Sequence, residues 1–539
     1  MLAIFLSIAA GLVAHHGVFI RGEWHLRTRI IAATHAILAL VSFSALRYNS
    51  NTSKEALLWL LTVCGCYLTT LFTSMSIYRL FFHPLSKFPG PRLAALTKFW
   101  HVYQSRNSTN YLVMDKVHKE YGALVRTGPN EVSIFHPGGI HLLDGAKNTN
   151  MKDTFYDVLK PRTSGIFTRD EQEHKDRRAT WMQALSTKSM DEYKPRIVRL
   201  VDDLRKCISS FDKQPINVTD VMTWFSFDVM SEVLFGEDFG MIKQRATHPV
   251  MAQQKRALAL LGPIMDTQWI VQLGFAFFPF FGKVRDWMRM CTFCEGQMTK
   301  RMTHGGRGKL DMASWFIDEY HALRDSESEK KRKLLLSGSA VSAVVAGSDT
   351  NRGALIAIWW YLSKHPEHAA KIQNEIADID VTDANNLALL PHLNGVINEV
   401  LRLAPPAMTG NGRITGPDGL LVDDTLIPPN VRITAPKYVI HRLDCAFEHA
   451  NDFIPERWYS HPELVHDKRA FAPFSIGGRQ CVGKILALVE LRLTTAILLQ
   501  HFDIKFAPGY DPDTMWRGMK DQVTAQPGRV LCTFKPREL

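Results

Sequence analysis

Much of what would sort a chain of 539 residues quickly is missing here. No lysine- or arginine-rich run accompanies the formal net charge of +11. That argues against nucleic acid as a partner and leaves solvated surface charge, an acidic protein partner or an anionic membrane face. Cysteine is sparse: eight residues spread thinly form no disulfide framework, which points to a reducing compartment. Cys291 and Cys294 form a CxxC without a second pair or a nearby histidine cluster, so two helix-face thiols stand beside a zinc or redox reading. No flavin- or nicotinamide-binding stretch appears, so any redox chemistry takes its electrons from outside the chain. There is no internal repeat or low-complexity tract, and no basic region precedes the first apolar stretch, which argues against a cleaved signal peptide.

Long apolar stretches, by contrast, crowd the first 82 residues: Leu2 to Ile20, Ile30 to Leu46 and Ala56 to about Tyr78. The third is long enough to cross a bilayer and the first nearly so; the second is shorter and contains His35. Arg21, Arg27 and Arg29 lie between the first two stretches, and Arg79, Lys87, Arg92 and Lys98 follow the third. By the positive-inside bias both segments are cytoplasmic, which fits three spans with a lumenal N-terminus; a single span at the third stretch is the alternative. The sequon Asn51-Thr52-Ser53 is then lumenal and open to glycosylation, whereas those at Asn107 and Asn217 are cytosolic. HPLSKFPGPR carries Pro84, Pro89 and Pro91 and reads as a stiff connector. The expected organisation is an anchor of one to three spans over 1–82, a proline-rich connector over 83–95, and one large domain over 96–539.

The charged residues that interrupt apolar helical patterns carry the chemistry. Residues 334–365 are largely apolar for fifteen residues before Asp349, with Thr350, Asn351 and Arg352 following. The interruption favours a helix buried through the domain centre, where an acid beside a hydroxyl is costly unless it handles protons. Glu399 and Arg402 stand three apart on one helix face, and Arg457 beside Glu456 in FIPERWYS can reach the same glutamate. Near the C-terminus, FSIGGRQCVG frames Cys481 with glycines and an arginine immediately before a long helical pattern.

AGSDT, EVLR, PERW and FSIGGRQCVG, in that order and spacing, resemble the cytochrome P-450 haem-thiolate monooxygenases. The last matches F-x-x-G-x-R-x-C-x-G at Phe474, Gly477, Arg479, Cys481 and Gly483. YRLFFHPLSKFPGPRLAA looks like the entry to fungal microsomal members. The resemblance implies a mainly α fold with a smaller β part on the N-terminal side of the domain, preceded by transmembrane helices. It implies haem b as cofactor, with Cys481 as metal ligand and its thiolate favouring O–O cleavage. Phe474 is placed against the ligand loop, Arg479 on a propionate, and His174 and Arg178, four apart on one helix face, as further propionate partners. Arg413 is another, and His441 either a further partner or structural. Asp349 and Thr350 match the catalytic acid–alcohol pair, with Asn351 replacing the Thr or Ser that often follows. Glu399, Arg402 and Arg457 match a structural charge cluster.

The implied reaction puts one oxygen atom of O2 into a hydrophobic small molecule, within fungal secondary-metabolite biosynthesis. Electrons come from NADPH through cytochrome P-450 reductase in the same membrane, with cytochrome b5 a further possible partner. The implied location is the endoplasmic reticulum, with the catalytic domain facing the cytosol. Residues 404–412 and the segment around Gln522 to Pro527 are expected to line the substrate pocket. The apolar LGFAFFPFFGK, residues 273–283, either touches the membrane or packs inside. Two competing readings are a haem-thiolate enzyme that rearranges peroxides without reductase and a non-enzymatic haem sensor or carrier. Neither explains the Asp349-Thr350 pair.

Overall fold

The computed structural model describes residues 1–48, 52–146, 148–265, 267–305, 310–410 and 412–538. Asn51 of the sequon Asn51-Thr52-Ser53 lies outside them. Three helical segments are long and apolar enough to cross a membrane: Leu2–Phe19, His25–Tyr48 and Ser53–Phe82. The second is longer than its apolar core suggests, because helix extends into the flanking basic residues. The third packs against the other two and tucks their few polar groups between helices. His35 Nε2 meets the Tyr67 hydroxyl at 3.0 Å, and His15 Nδ1 meets Ser74 Oγ at 2.8 Å. Interhelical hydrogen bonds of this kind are how polar side chains persist in apolar helices. The loop joining the first two segments is tied to the globular part. His25 Nε2 lies 2.7 Å from Asp157 Oδ2, and Arg169 donates to both oxygens of Glu23 at 2.6 and 2.7 Å.

The remainder is mainly helical. Its longest element, the central helix Glu329–Lys364, starts at Ser328, whose side chain accepts from the Lys331 N–H, and is almost wholly buried from Leu335 to Ser363. Against it packs the apolar helix Val218–Phe235, buried on nearly every side and ended by Gly236 in the left-handed conformation. A helix hydrophobic all round belongs in the interior. The helix Lys484–His501, which follows the cysteine loop, also packs on the central helix.

The main sheet has strands β1 (Leu124–Gly128), β2 (Glu131–Ile134), β3 (Met151–Lys152), β4 (Arg413–Ile414) and β5 (Arg432–Thr434), in the order β1-β2-β5-β4-β3. All pairs are antiparallel except β2 with β5. The β part is therefore assembled from segments about 300 residues apart rather than lying on the N-terminal side alone. This placement matters for the site, because β3 and β4 bring Lys152 and Arg413 side by side.

Candidate active site

The loop that presents Cys481 is shaped by its glycines. Gly477 has φ +64°, and a Cβ there would sit 2.3 Å from the Asp144 carbonyl oxygen, so only glycine fits. Ser475 takes φ +55° just before it. The Cys481 N–H donates to the Phe474 carbonyl at 2.8 Å, which closes the loop and fixes the sulfur at its tip. Burial pushes the thiol pKa up, while the Gly483 N–H and the positive charges of Lys437, Arg178 and Lys484 pull it back down. A metal ion bound here would complete what these groups begin, since a coordinated thiol is held as thiolate.

Cys481 opens onto a cavity of about 310 Å³ lined also by Phe474, Arg479, His174, Arg178, Arg413 and Thr350. The structure thus brings together seven of the eight residues given catalytic or firm cofactor-binding roles in the sequence. Asp349 is the exception. Thr350 lines the wall, its Oγ1 donating to the Ala346 carbonyl at 2.6 Å. Asp349 is buried behind that wall: Oδ2 accepts from Thr524 Oγ1 and Gln526 Nε2, both at 2.6 Å, and Oδ1 pairs with Arg352 at 3.0 Å. The central helix presents Ala343, Ala346, Gly347 and Ala354 to the cavity, side chains too small to fill it.

The charge on the wall decides what the cavity can hold. Lys152, His174, Arg178, Arg413, Lys437 and Arg479 line it, and among the described lining residues there is no carboxylate. Asp144 neutralises Arg413 from behind, accepting from Nε at 2.8 Å and from the second nitrogen at 3.1 Å, while Tyr156 takes the third nitrogen at 2.9 Å. Among the described residues, Arg479 hydrogen-bonds the Asn150 carbonyl, at 3.0 Å, and no carboxylate pairs with Arg178. His174 Nδ1 meets the Gly165 carbonyl at 2.7 Å, and the Gly478 backbone also lies against the ring. Lys152 and Lys437 are buried among carbonyls, and burial lowers their pKa values to about 7 and about 8. Such a wall fits a flat apolar ligand with two carboxylates at one edge. Haem is such a ligand: the small-residue face would admit the macrocycle, the cations would hold its propionates, and Cys481 would hold its iron.

The structural charge cluster assembles as expected and acquires one more member. Glu399 Oε1 accepts from Arg402 at 2.7 Å, Arg457 Nε at 3.0 Å and the Ile454 N–H at 3.0 Å. Its Oε2 accepts from Arg402 Nε and from Trp458 Nε1, both at 2.9 Å. The spare nitrogens of both arginines end on backbone carbonyls of residues 441–464. His441 belongs here and not at the cavity: it is fully buried, with Nδ1 on the Arg402 carbonyl at 3.2 Å.

Other expectations meet the structure in different ways. Of residues 404–412, Pro406 and Ala407 reach the cavity, while Met408 is buried elsewhere and Asn411 lies outside the described residues. The segment Gln522 to Pro527 does not line the cavity: its short hairpin turns Thr524 and Gln526 onto Asp349, and Gln522, Gln526 and Pro527 face a neighbouring polar pocket. Cys291 and Cys294 are buried thiols on the helix Gly282–His304, with burial raising both pKa values, Cys291 to about 11, so neither is poised for metal or redox use. Lys152, Lys437 and Tyr156 were missed, since a lone lysine or tyrosine in a loop reads as surface; the only signal was their position beside Asp144, Arg413 and the cysteine loop after folding.

Comparison with known proteins agrees with this geometry. The family model described as cytochrome P-450 matches residues 89–533. Cytochrome P-450 monooxygenase sthD of Phaeosphaeria nodorum is 32% identical over 476 residues, covering 87% of this chain and 98% of the relative. Tryprostatin B 6-hydroxylase of Aspergillus fumigatus is 32% identical over 515 residues, covering 93% and 90%. Cytochrome P-450 monooxygenase phqL of Penicillium fellutanum is 30% identical, covering 99% and 95%. The crystal structure of the cytochrome P450DA heme domain shares the fold, with a TM-score of 0.66 at 18% identity over 81% of this chain and 95% of that one. This chain belongs to the cytochrome P-450 family and is a monooxygenase-type oxidoreductase.

Proposed function

We propose that the protein oxygenates a hydrophobic small molecule in fungal secondary metabolism, with haem b bound through Cys481 and electrons supplied from NADPH by a membrane-bound reductase. The carboxylate-free cationic wall around an accessible cysteine is the observation that carries this reading. Relatives in several fungi, one named for hydroxylating tryprostatin B, support the metabolic setting. Haem bound there supplies the reductive activation of dioxygen. Arg178, Arg413, Arg479 and His174 hold and orient its carboxylates, and Lys152 and Lys437 add charge at the same edge. Phe474 shields the sulfur loop from water, and Gly483 N–H tempers the thiolate.

Thr350 holds a proton at Oγ1 on the cavity wall, with Ala346 O as its resting acceptor. Asp349 stands behind the wall, its carboxylate held in place by Thr524, Gln526 and Arg352, one residue from Thr350 for the relay of protons towards it. Asn351, in place of a hydroxyl residue, instead donates from Nδ2 to the buried Glu490 at 2.6 Å, whose pKa burial raises to about 8. The substrate enters from an apolar side. Phe277, Phe278, Phe280 and Phe281 are exposed at the end of the helix Gln268–Phe277, which packs on the second membrane segment, so this patch belongs at the bilayer surface. Contacts of Glu23 and His25 with the globular part support a loop on the same side of the bilayer as the domain, and with it three spans in the endoplasmic reticulum membrane and a cytosolic catalytic part.

The test is the carbon monoxide difference spectrum of dithionite-reduced membranes carrying wild type or Cys481→Ser, followed by NADPH consumption with added reductase. A strongly red-shifted band lost in the variant, with consumption stimulated by an apolar compound, is expected. An unshifted band from folded, haem-loaded wild type would remove Cys481 as ligand and the mechanism with it.

A further inference from the structure

Away from the cavity, three side chains from three separate elements converge on one point. His368 lies in the helix Pro366–Glu375, His392 in the first turn of the helix Pro391–Leu403, and Glu456 in the short helical turn Pro455–Trp458. One donor atom from each falls within 4.8 Å of the others. His368 Nδ1 and His392 Nε2 are 3.3 Å apart, and Glu456 Oε1 is 3.7 Å from His368 Nδ1. Two imidazole nitrogens on a tetrahedral zinc, each at about 2.0–2.1 Å from it, are separated by about 3.3 Å. The histidine edge therefore already has the spacing of a bound metal.

The surroundings suit a metal as well. His392 Nδ1 shares a 2.9 Å hydrogen bond with the Tyr459 hydroxyl, the kind of outer partner that fixes a metal-ligating ring. Both histidines are buried, and the hydrogen bond between His368 Nδ1 and His392 Nε2 is one that a bound cation would replace. Glu456 is balanced by Lys371, whose Nζ lies 2.6 Å from Oε1 on a side chain that is 52% exposed and so can swing into water. None of the three ligands lines the haem cavity.

We propose that His368, His392 and Glu456 bind a divalent cation of the zinc class, which displaces Lys371 as the counter-ion of Glu456. Two imidazoles and one carboxylate favour zinc over magnesium or calcium, and water fills the fourth position. The metal clamps the two helices to the turn that also carries Arg457. His392 and Glu399 lie seven residues apart, two turns along one face of the same helix, so both hold residues 454–459 against it.

The test uses the purified haem-loaded full chain, equilibrated with zinc alone near neutral pH, with bound zinc measured per haem iron by mass spectrometry. Wild type is expected to retain one zinc per chain more than His392→Gln or Glu456→Gln. Tyr459→Phe weakens binding by roughly 10–100-fold, as loss of outer partners does, and Lys371→Ala tightens it. The last two change exposed side chains and report even if the buried variants fail to fold. Equal zinc content in folded wild type and His392→Gln would overturn the site, as would a Lys371→Ala variant that binds zinc no more tightly than wild type.

Discussion

Two regions of this molecule bury arginines, and they do so on opposite terms. Around Glu399 every donor of Arg402 and Arg457 that is placed ends on a carboxylate or a backbone carbonyl, and the Glu399 carboxylate receives five donors. That cluster is closed; nothing further can bind to it. Around Cys481, six basic side chains face a cavity with no carboxylate among the described residues of its wall. An incomplete set of charges is stable only if something completes it, because unpaired buried cations cost several kcal/mol each by rough estimate. The closed cluster is architecture and the open one is a binding site, a distinction that burial alone does not make.

The largest effect is expected at the closed cluster. Glu399→Gln leaves two buried guanidiniums without their counter-ion and costs about 3–5 kcal/mol; thermal unfolding and the yield of haem-loaded protein measure it. The open wall should behave differently. Arg178→Leu removes a cation that has no protein partner, so the haem-free protein should unfold at the same temperature or higher. Haem transfer to a scavenging apoprotein should speed up by roughly 10–100-fold, the equivalent of one charged hydrogen bond of about 1.5–3 kcal/mol. Should Arg178→Leu instead destabilise the haem-free protein as Glu399→Gln does, the contrast between the regions fails. Within the closed cluster, Trp458→Phe removes one neutral donor and costs about 1 kcal/mol, again by thermal unfolding.

The smallest effect sharpens the comparison through pH. In the haem-free protein Lys152 has a pKa lowered to about 7 from an ordinary 10.5 by burial and by Arg413 and Arg479. Between those two values the unfolded chain binds more protons at this side chain, so stability of the haem-free protein rises with pH across that window and is flat in this respect below about pH 7. Carboxylates bound at the wall raise the folded pKa and flatten the slope. Unfolding midpoints against pH, with and without haem, should show that difference in wild type and lose it in Lys152→Met.

How much of this was legible in the sequence follows from the same contrast. Glu399, Arg402 and Arg457 stand out because charges inside apolar helical spacing are costly without partners, and Cys481 because glycines frame it. Trp458 stands in the PERW motif, but its role as a donor to Glu399 gave no signal, since a tryptophan in a turn reads as packing. Lys152 and Lys437 gave none either, because a lysine in a loop is normally solvated and only the pairing of β3 with β4 turns Lys152 inward. Asp349 was placed in the right helix, but its partners Thr524 and Gln526 come from a hairpin about 175 residues away. Contacts at that separation follow from tertiary structure, which no local pattern encodes.

The central claim is that the cationic wall beside Cys481 is completed by the two carboxylates of haem. Titrating the haem-free protein with haem and with its dimethyl ester, which keeps the macrocycle and iron but loses both charges, tests it most directly. The account predicts that the ester binds at least roughly 100-fold more weakly, the loss expected for two charged hydrogen-bonding groups, and that Arg178→Leu narrows the gap. Equal affinity for the two would contradict it.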